Sequence, residues 1–256
     1  MTDTDPRIED HYDDLAEHWA TIVSGPERAD GVWPAVEEML PDLDGQRVLD
    51  AGCGAGVYSA WLDERGAEVF GVDASEAMLA EARERVPAAT FEQADLSEPL
   101  AEVPDDSVDV VLCQHVFSHL DDLSTPLSTF ARVLRSGGTL VVTTHNPVFD
   151  YVVVRDGAYP ETVGHAHLDP TVEIAGGGPR YSRTERFDVH WTDEAASQRA
   201  TYFRRPFENL VTPVLDAGFS LDSVVEPGEG QPNDADGEGR DYPPEALCLR
   251  ATRSEP

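Results

Sequence analysis

The sequence contains no lysine: all 18 of its basic residues are arginine, against 50 Asp and Glu, for a formal net charge of -32. That absence excludes chemistry needing an ε-amine, such as a phosphate-loop lysine or a Schiff base to a carbonyl cofactor. No basic tract exists either. Non-specific nucleic-acid binding draws on basic side chains that displace counterions, so no nucleic-acid partner is expected. Cysteine is scarce: Cys53, Cys113 and Cys248 lie far apart and form neither a disulfide framework nor a metal pattern, and no metal is expected. No apolar run approaches the roughly 18 residues of a membrane span. The opening MTDTDPRIEDHYDD lacks the basic flank and apolar stretch of a signal peptide. The expectation is a cytoplasmic protein with no membrane partner.

What is present is a chain of 256 residues, 40% apolar, enough for one domain with a sizeable elaboration. Residues 1–44 read as an N-terminal helical cap, with short helices near Tyr12 to Ala20 and Val32 to Leu40. From Arg47 the chain alternates. Strands are expected at Arg47 to Asp50, Glu68 to Val72, Ala89 to Gln93, Ser107 to Cys113 and Thr139 to Thr144. Helices are expected at Tyr58 to Glu64, Ser75 to Val86 and Asp121 to Leu134, the last stopping at Ser136-Gly137-Gly138. Such alternation indicates an α/β fold, a doubly wound, largely parallel sheet covered on both faces. After Asn146-Pro147 the rhythm breaks, and residues 147–205 form an insertion too long for an ordinary connection. It resumes with a helix from Pro206 to Ala217 and a strand from Phe219 to Val225. The polar, glycine-rich Gly228 to Asp241 reads as a surface loop, and Glu245 to Thr252 as a final strand. Two strands joined by a loop without a helix pair antiparallel if adjacent, so a terminal antiparallel hairpin is expected.

The segment richest in chemistry is Val48-Leu49-Asp50-Ala51-Gly52-Cys53-Gly54-Ala55-Gly56. Glycines directly after a buried strand let the chain turn tightly and let a ligand approach the backbone, with a helix N-terminus behind. The spacing is G-x-G-x-G with a carboxylate two positions earlier, whereas a dinucleotide fold prefers G-x-G-x-x-G. Asp73, at the end of the next strand, can accept hydrogen bonds from both hydroxyls of a ribose and would repel a 2′-phosphate.

Together these elements, from Tyr12 to Thr252, resemble the class I S-adenosylmethionine-dependent methyltransferase superfamily in its small-molecule branch. The resemblance implies S-adenosylmethionine as cofactor and S-adenosylhomocysteine as product. It also implies a Rossmann-like seven-stranded sheet whose final strand is inserted antiparallel. Asp50, Gly52, Cys53, Gly54 and Gly56 would meet the methionyl part, and Asp73 the ribose. Ala74 and Met78 would sit by the adenine, and in the segment Ala94-Asp95-Leu96 the aspartate would receive its amino group and the next backbone N–H, that of Leu96, would meet its ring. Cys113 and Gln114 would contact the methionyl part at the end of the fourth strand, and Tyr12 and Trp19 would close over the cofactor. The composition also resembles that of cytoplasmic proteins from extremely halophilic archaea. Such a surface repels itself in dilute salt and is screened when the Debye length falls to about 3 Å at 1 M.

Ligands of open α/β sheets lie beyond the carboxyl ends of the strands. His115 and Phe117 after the fourth strand, and His145 and Asn146 after the fifth, are therefore expected to face the methyl acceptor. Tyr151, Tyr159, Trp191, Tyr202, Phe203, Arg204 and Arg205 would enclose it. His115, His145 and Arg205 are the candidate catalytic residues, Arg205 as the partner of a substrate carboxylate or as an anchor for the insertion. His119 reads as structural. His165 and His167 have a metal-like spacing that no further ligands complete. The Phe-Arg-Arg-Pro-Phe run resembles a branch in which His-Arg-Pro is common, with Arg204 in the histidine's place. The expected reaction transfers a methyl group to nitrogen, oxygen or carbon of a small molecule by in-line displacement, through proximity and exclusion of water, in a monomer or homodimer. Two alternatives stay open on the residues: an NAD-dependent oxidoreductase and a non-catalytic S-adenosylmethionine-binding protein.

Overall fold

A computed structural model describes residues 32–156, 166–168, 180–192, 197–228, 232–233, 240–241 and 243–255. Its centre is a seven-stranded sheet. Helix α1 (Trp33–Met39) precedes β1 (Arg47–Ala51), α2 (Val57–Glu64), β2 (Glu68–Asp73), α3 (Glu76–Arg85), β3 (Thr90–Gln93) and β4 (Val108–Gln114). A 3₁₀ turn (Phe117–His119) leads to α4 (Ser124–Val133) and β5 (Leu134–His145), and α5 (Pro147–Asp156) opens the insertion. Within the insertion stand β6 (Ala166–Leu168), β7 (Glu185–Thr192) and β8 (Ser197–Arg204), followed by α6 (Phe207–Asp216) and β9 (Phe219–Val225). The short β10 (Pro232–Asn233) and β11 (Arg240–Asp241) pair antiparallel before β12 (Ala246–Arg253) closes the chain.

The sheet order is β3-β2-β1-β4-β5-β12-β9. β1 to β5 are mutually parallel. β12 runs antiparallel to both β5 and β9, which is the inserted final strand the resemblance implied.

Period-two alternation divides the strands between two apolar layers. Val48, Val110, Leu112 and Val141 pack with Val36 and Met39 of α1 and Leu62 of α2. Leu49, Val111, Cys113, Leu140 and Val142 pack on the other face with Leu127, Phe130 and Val133 of α4 and Leu210 and Val214 of α6. Each fully buried side chain of this size contributes about 1.5–3 kcal/mol, so both layers hold the strand ends in place. Trp33 anchors α1 by stacking on Tyr58 and meeting Trp61 edge-on, with both centroid distances 4.6 Å.

Two expectations need correction. Ser136-Gly137-Gly138 does not stop a helix, because α4 ends at Val133 and β5 begins at Leu134. Leu134 pairs with Val108 and Thr139 with Val110. The four residues between bulge out of the ladder, and Gly137, at φ 76°, supplies the left-handed bend. The insertion is also more regular than its composition suggested. Asn146 Oδ1 accepts the Val148 N–H at 2.9 Å, capping α5, and β6, β7 and β8 form an antiparallel sheet of their own.

Candidate active site

Parallel register brings the carboxyl ends of β2, β1, β4 and β5 to one edge. Ala51 is paired with Val72, Asp50 with Leu112, and Gln114 with Thr143. The turn after β1 depends on glycine at positions of opposite demand. Gly52 has φ 77°, and a Cβ there would lie 2.2 Å from Val116 Cγ2. Gly56 has φ 73°, and a Cβ there would lie 2.9 Å from the Ala82 Cβ, so this glycine lets α2 approach α3. Gly54, at φ 51°, has nothing within 4 Å of the Cβ position. It leaves an open cradle of backbone where a ligand can approach.

Asp73 holds this turn from the neighbouring strand. Its Oδ2 accepts the Gly54 N–H at 2.8 Å and its Oδ1 the Ser75 N–H at 3.0 Å. A carboxylate offers about four acceptor sites, so these two bonds do not exhaust its capacity to accept. Asp50 is fully buried, and its Oδ2 accepts from Ser59 Oγ at 2.6 Å. Burial pushes its carboxyl up to about 7; the Ser59 hydrogen bond opposes this and the charge of Asp73 adds to it. Among the described residues, no hydrogen-bond partner meets the buried atoms Asp50 Oδ1 and Gln114 Nε2. Gln114 Oε1 accepts from Thr143 Oγ1 at 2.7 Å, which fixes the amide orientation. Buried polar atoms lacking partners, beside an open glycine cradle, fit a cofactor carrying both charge and hydrogen-bonding groups.

Other predicted cofactor residues are distributed around the same edge. Ala74 C=O accepts from Gln93 Nε2 at 2.8 Å, and the Ala94 N–H donates to Asp73 C=O at 2.9 Å. Asp95 is exposed, and its Oδ1 accepts the Ser97 N–H at 2.8 Å. Met78 is buried in α3, where its N–H donates to Ser75 Oγ at 3.1 Å.

Alternation sets several side chains elsewhere than expected. Cys113 points into the core beside Phe117, on the face opposite Leu112. Cys53 packs with Leu79, Val86 and Phe91, and burial pushes its thiol well up. Leu96 lies in the core shared with Phe117. For Cys53, Cys113 and Leu96, only the backbone is placed to meet a ligand. Asn146 is spent on capping α5 and on Glu226, to which Nδ2 donates at 2.8 Å. Tyr12, Trp19, Tyr159 and His165 lie outside the described residues, as do the side chains of His167 and Trp191.

Arg205 takes the second of the two roles open to it. Its Nη1 donates to the carbonyls of Phe117 at 2.7 Å and Phe203 at 3.2 Å, and its Nη2 donates to those of Leu120 and of Asp121 at 2.8 Å. Four of five donors are committed to main chain, which is the bonding of an anchor. It ties the turn after β4 to the junction of β8 and α6. Arg204 is likewise buried, bonded to Glu185 and set 5.3 Å over the Tyr151 ring.

The two candidate histidines converge. His115 has φ 55°, and its N–H donates to Thr143 C=O at 2.9 Å, which bends the chain back across the end of β5. Its ring lies 6.2 Å from that of His145. His145 in turn stacks on Tyr202 at 5.5 Å and 17°. His119 lies 4.5 Å from Tyr202, and burial, with the charge of His145, pushes its imidazole down to about 3. That supports the structural role expected of it. Asp150, whose Oδ1 lies 3.3 Å from His145 Nδ1, carries no motif in the sequence. Its position became legible only once α5 was seen to start at Pro147.

Comparison with known proteins agrees with this geometry. A family described as a methyltransferase domain matches residues 49–142. A ubiquinone biosynthesis O-methyltransferase from Hahella chejuensis is 33% identical over 142 residues, covering 53% of this chain and 59% of that enzyme. An uncharacterized protein of Haemophilus influenzae is 27% identical over 214 residues, covering 76% of this chain and 75% of its own length. The matches to named O-methyltransferases thus span about half the length of those relatives. A solved S-adenosylmethionine-dependent methyltransferase from Mesorhizobium loti is 26% identical with a TM-score of 0.61, covering 87% of this chain and 97% of that one.

Proposed function

We propose that the chain is an S-adenosylmethionine-dependent methyltransferase that methylates a nitrogen, oxygen or carbon atom of a small organic molecule, a reading supported by the methyltransferase-domain match and by the solved and named methyltransferases it is similar to. The observation that carries the reading is the shared edge: the open cradle at Gly54 ends β1, and His115 and His145 end the next two strands, β4 and β5. Strands lie about 4.8 Å apart, so β4 stands about 4.8 Å and β5 about 10 Å from the strand that ends in the cofactor turn, which leaves room for a methyl group and a small acceptor at this edge.

In this reading Asp73 holds the ribose, and Asp50 and Gln114 orient the methionyl end with the buried atoms described above. When bound, S-adenosylmethionine supplies a methyl group activated on a sulfonium. The chain's own contribution is alignment and exclusion of water. Arg205 fixes the turn that bears His115, and Tyr202 walls the acceptor side. Positioning of this kind is worth at most about 7–11 kcal/mol. A small acceptor is supported by the -32 net charge without lysine, which opposes a polyanion. It is supported also by the flat faces of His115, His145 and Tyr202, which suit a conjugated ring. Several relatives are named as ubiquinone biosynthesis O-methyltransferases, and their acceptors are small. Among the described residues no helix is long and apolar enough to cross a membrane.

The test is incubation with methyl-labelled S-adenosylmethionine and an extract of the source organism, followed by fractionation by size. Label in a small ultraviolet-absorbing compound is expected. Label confined to macromolecules would overturn the small-acceptor reading.

A further inference from the structure

His145 is the last residue of β5, and its Nδ1 lies 3.3 Å from Asp150 Oδ1. Asp150 is 4% exposed and sits in the first turn of α5, where the helix dipole favours a negative charge. The imidazole keeps 15% of its side-chain surface exposed, so it is reachable from the crevice. Its plane is set by the stack on Tyr202, itself 3% exposed and in contact with His119 at 4.5 Å. A carboxylate at Nδ1 selects the tautomer with its proton there and its lone pair on Nε2, and it stabilises the imidazolium once formed.

We propose that His145 is the general base of methyl transfer, that Asp150 is its positioning residue, and that the group methylated is a hydroxyl. This inference rests on the methyl-transfer reading above. An amine brings its own lone pair to the methyl carbon and loses its proton afterwards, whereas a hydroxyl is a weak nucleophile until its proton begins to leave. A base oriented before the reaction therefore points to oxygen. As the acceptor oxygen forms its bond to the methyl carbon, His145 Nε2 takes the hydroxyl proton. The methyl carbon–sulfur bond breaks with its electron pair remaining on sulfur, leaving neutral S-adenosylhomocysteine. The imidazolium then returns its proton to water.

Among the described residues, the charged and titratable groups around His145 include Asp150 on α5, His115 after β4, His119 in the 3₁₀ turn and Tyr202 on β8, with Arg204 and Arg205 nearby. Burial keeps His119 neutral across the ordinary pH range. Both arginines are held by Glu185 and by main-chain carbonyls. Among these groups, Asp150 is the carboxylate set beside His145 Nδ1.

Two measurements test the proposal. Nitrogen NMR of the cofactor-free parent should show His145 with its proton on Nδ1, and Asp150→Asn should lower its pKa by about one unit or more. Labelled methyl transfer is then followed with 3,4-dihydroxybenzoate as a phenolic probe and phenethylamine as an amine probe. Oxygen methylation is expected in the parent. His145→Gln should lower kcat about 100-fold or more without weakening S-adenosylmethionine binding, and Asp150→Asn should move the acid limb of the pH–rate profile down. An unchanged His145 titration in Asp150→Asn, or label only on the amine, overturns the proposal. A parent that binds S-adenosylmethionine yet methylates neither probe overturns the oxygen assignment alone, whereas a parent that does not bind it overturns the methyl-transfer reading as well.

Discussion

Replacing Arg205 by alanine separates an anchor from a substrate ligand. The guanidinium bonds to carbonyls of Phe117, Leu120 and Asp121, more than eighty residues away, and only 7% of the residue is exposed. Burial pushes its pKa down to about 10, against the opposing charges of Asp121 and Asp122, so the site already strains to keep the charge. Alanine leaves the buried Leu120 carbonyl without this donor and the Phe117 carbonyl with only the long Leu120 N–H bond at 3.4 Å, at about 1–3 kcal/mol each. In a domain of this size each kcal/mol moves Tm by about 2–4 °C, so a fall of about 4–24 °C is expected. Arg205→Lys should lie between, since an ammonium lacks the fork that spans several carbonyls. The assay is a thermal melt in molar potassium chloride, paired with methyl transfer measured well below the transition. An Arg205→Ala protein that melts with the parent but transfers no methyl group would refute this reasoning and restore the arginine to the substrate.

Asp50→Asn tests the buried carboxyl. A folded-state pKa of about 7, raised from 3.8, means this group's contribution to stability is fully present below pH 3.8 and is lost as pH rises to about 7, on the order of 4 kcal/mol. Cofactor-free Asp50→Asn should therefore gain on the parent in denaturant melts between those pH values, and a difference that stays flat would sink the assignment. At the glycine turn, Gly52→Ala must push against Val116 and should lose stability, about 1–3 kcal/mol from overpacking alone. Gly54→Ala meets no atom and incurs only about 1–2 kcal/mol of left-handed strain, yet should weaken S-adenosylmethionine binding; parental affinity would show that the cradle is not used. With a net charge of -32, Tm should climb as potassium chloride approaches molar concentration, and a maximum in dilute buffer would contradict the expected salt requirement.

The parallel half of the sheet was legible because its strands are short apolar runs bounded by glycine or aspartate, and because burial on both faces forces that pattern. The hairpin of β9 and β12 followed from the lack of a helix between them. The insertion was misjudged although its signals were present. Asn146-Pro147 is a helix start, and the alternation in Glu185-Arg186-Phe187-Asp188-Val189 is that of a strand. At the site, Gly54 and Asp73 could be placed from a turn and a strand end, both local features. Arg205 and Asp150 could not. The contacts of Arg205 span more than eighty residues. Asp150 is only five residues from His145, but it meets the imidazole only because α5 begins between them. Likewise Cys113 and Gln114 look equivalent in sequence, and the pleat sends one into the core and the other toward Thr143.

The central claim is that the turn after β1, held by Asp73, is an S-adenosylmethionine site. Calorimetric titration of S-adenosylmethionine into the parent and Asp73→Asn, in molar potassium chloride, tests it most directly. Asparagine keeps the shape and one acceptor oxygen for the Gly54 or Ser75 N–H but removes the charge offered to the ribose. A charge-assisted hydrogen bond is worth about 1.5–3 kcal/mol, so the parent should bind saturably and the variant at least about tenfold more weakly. A parent that takes up no S-adenosylmethionine, or a variant that binds it as tightly as the parent, would contradict the account.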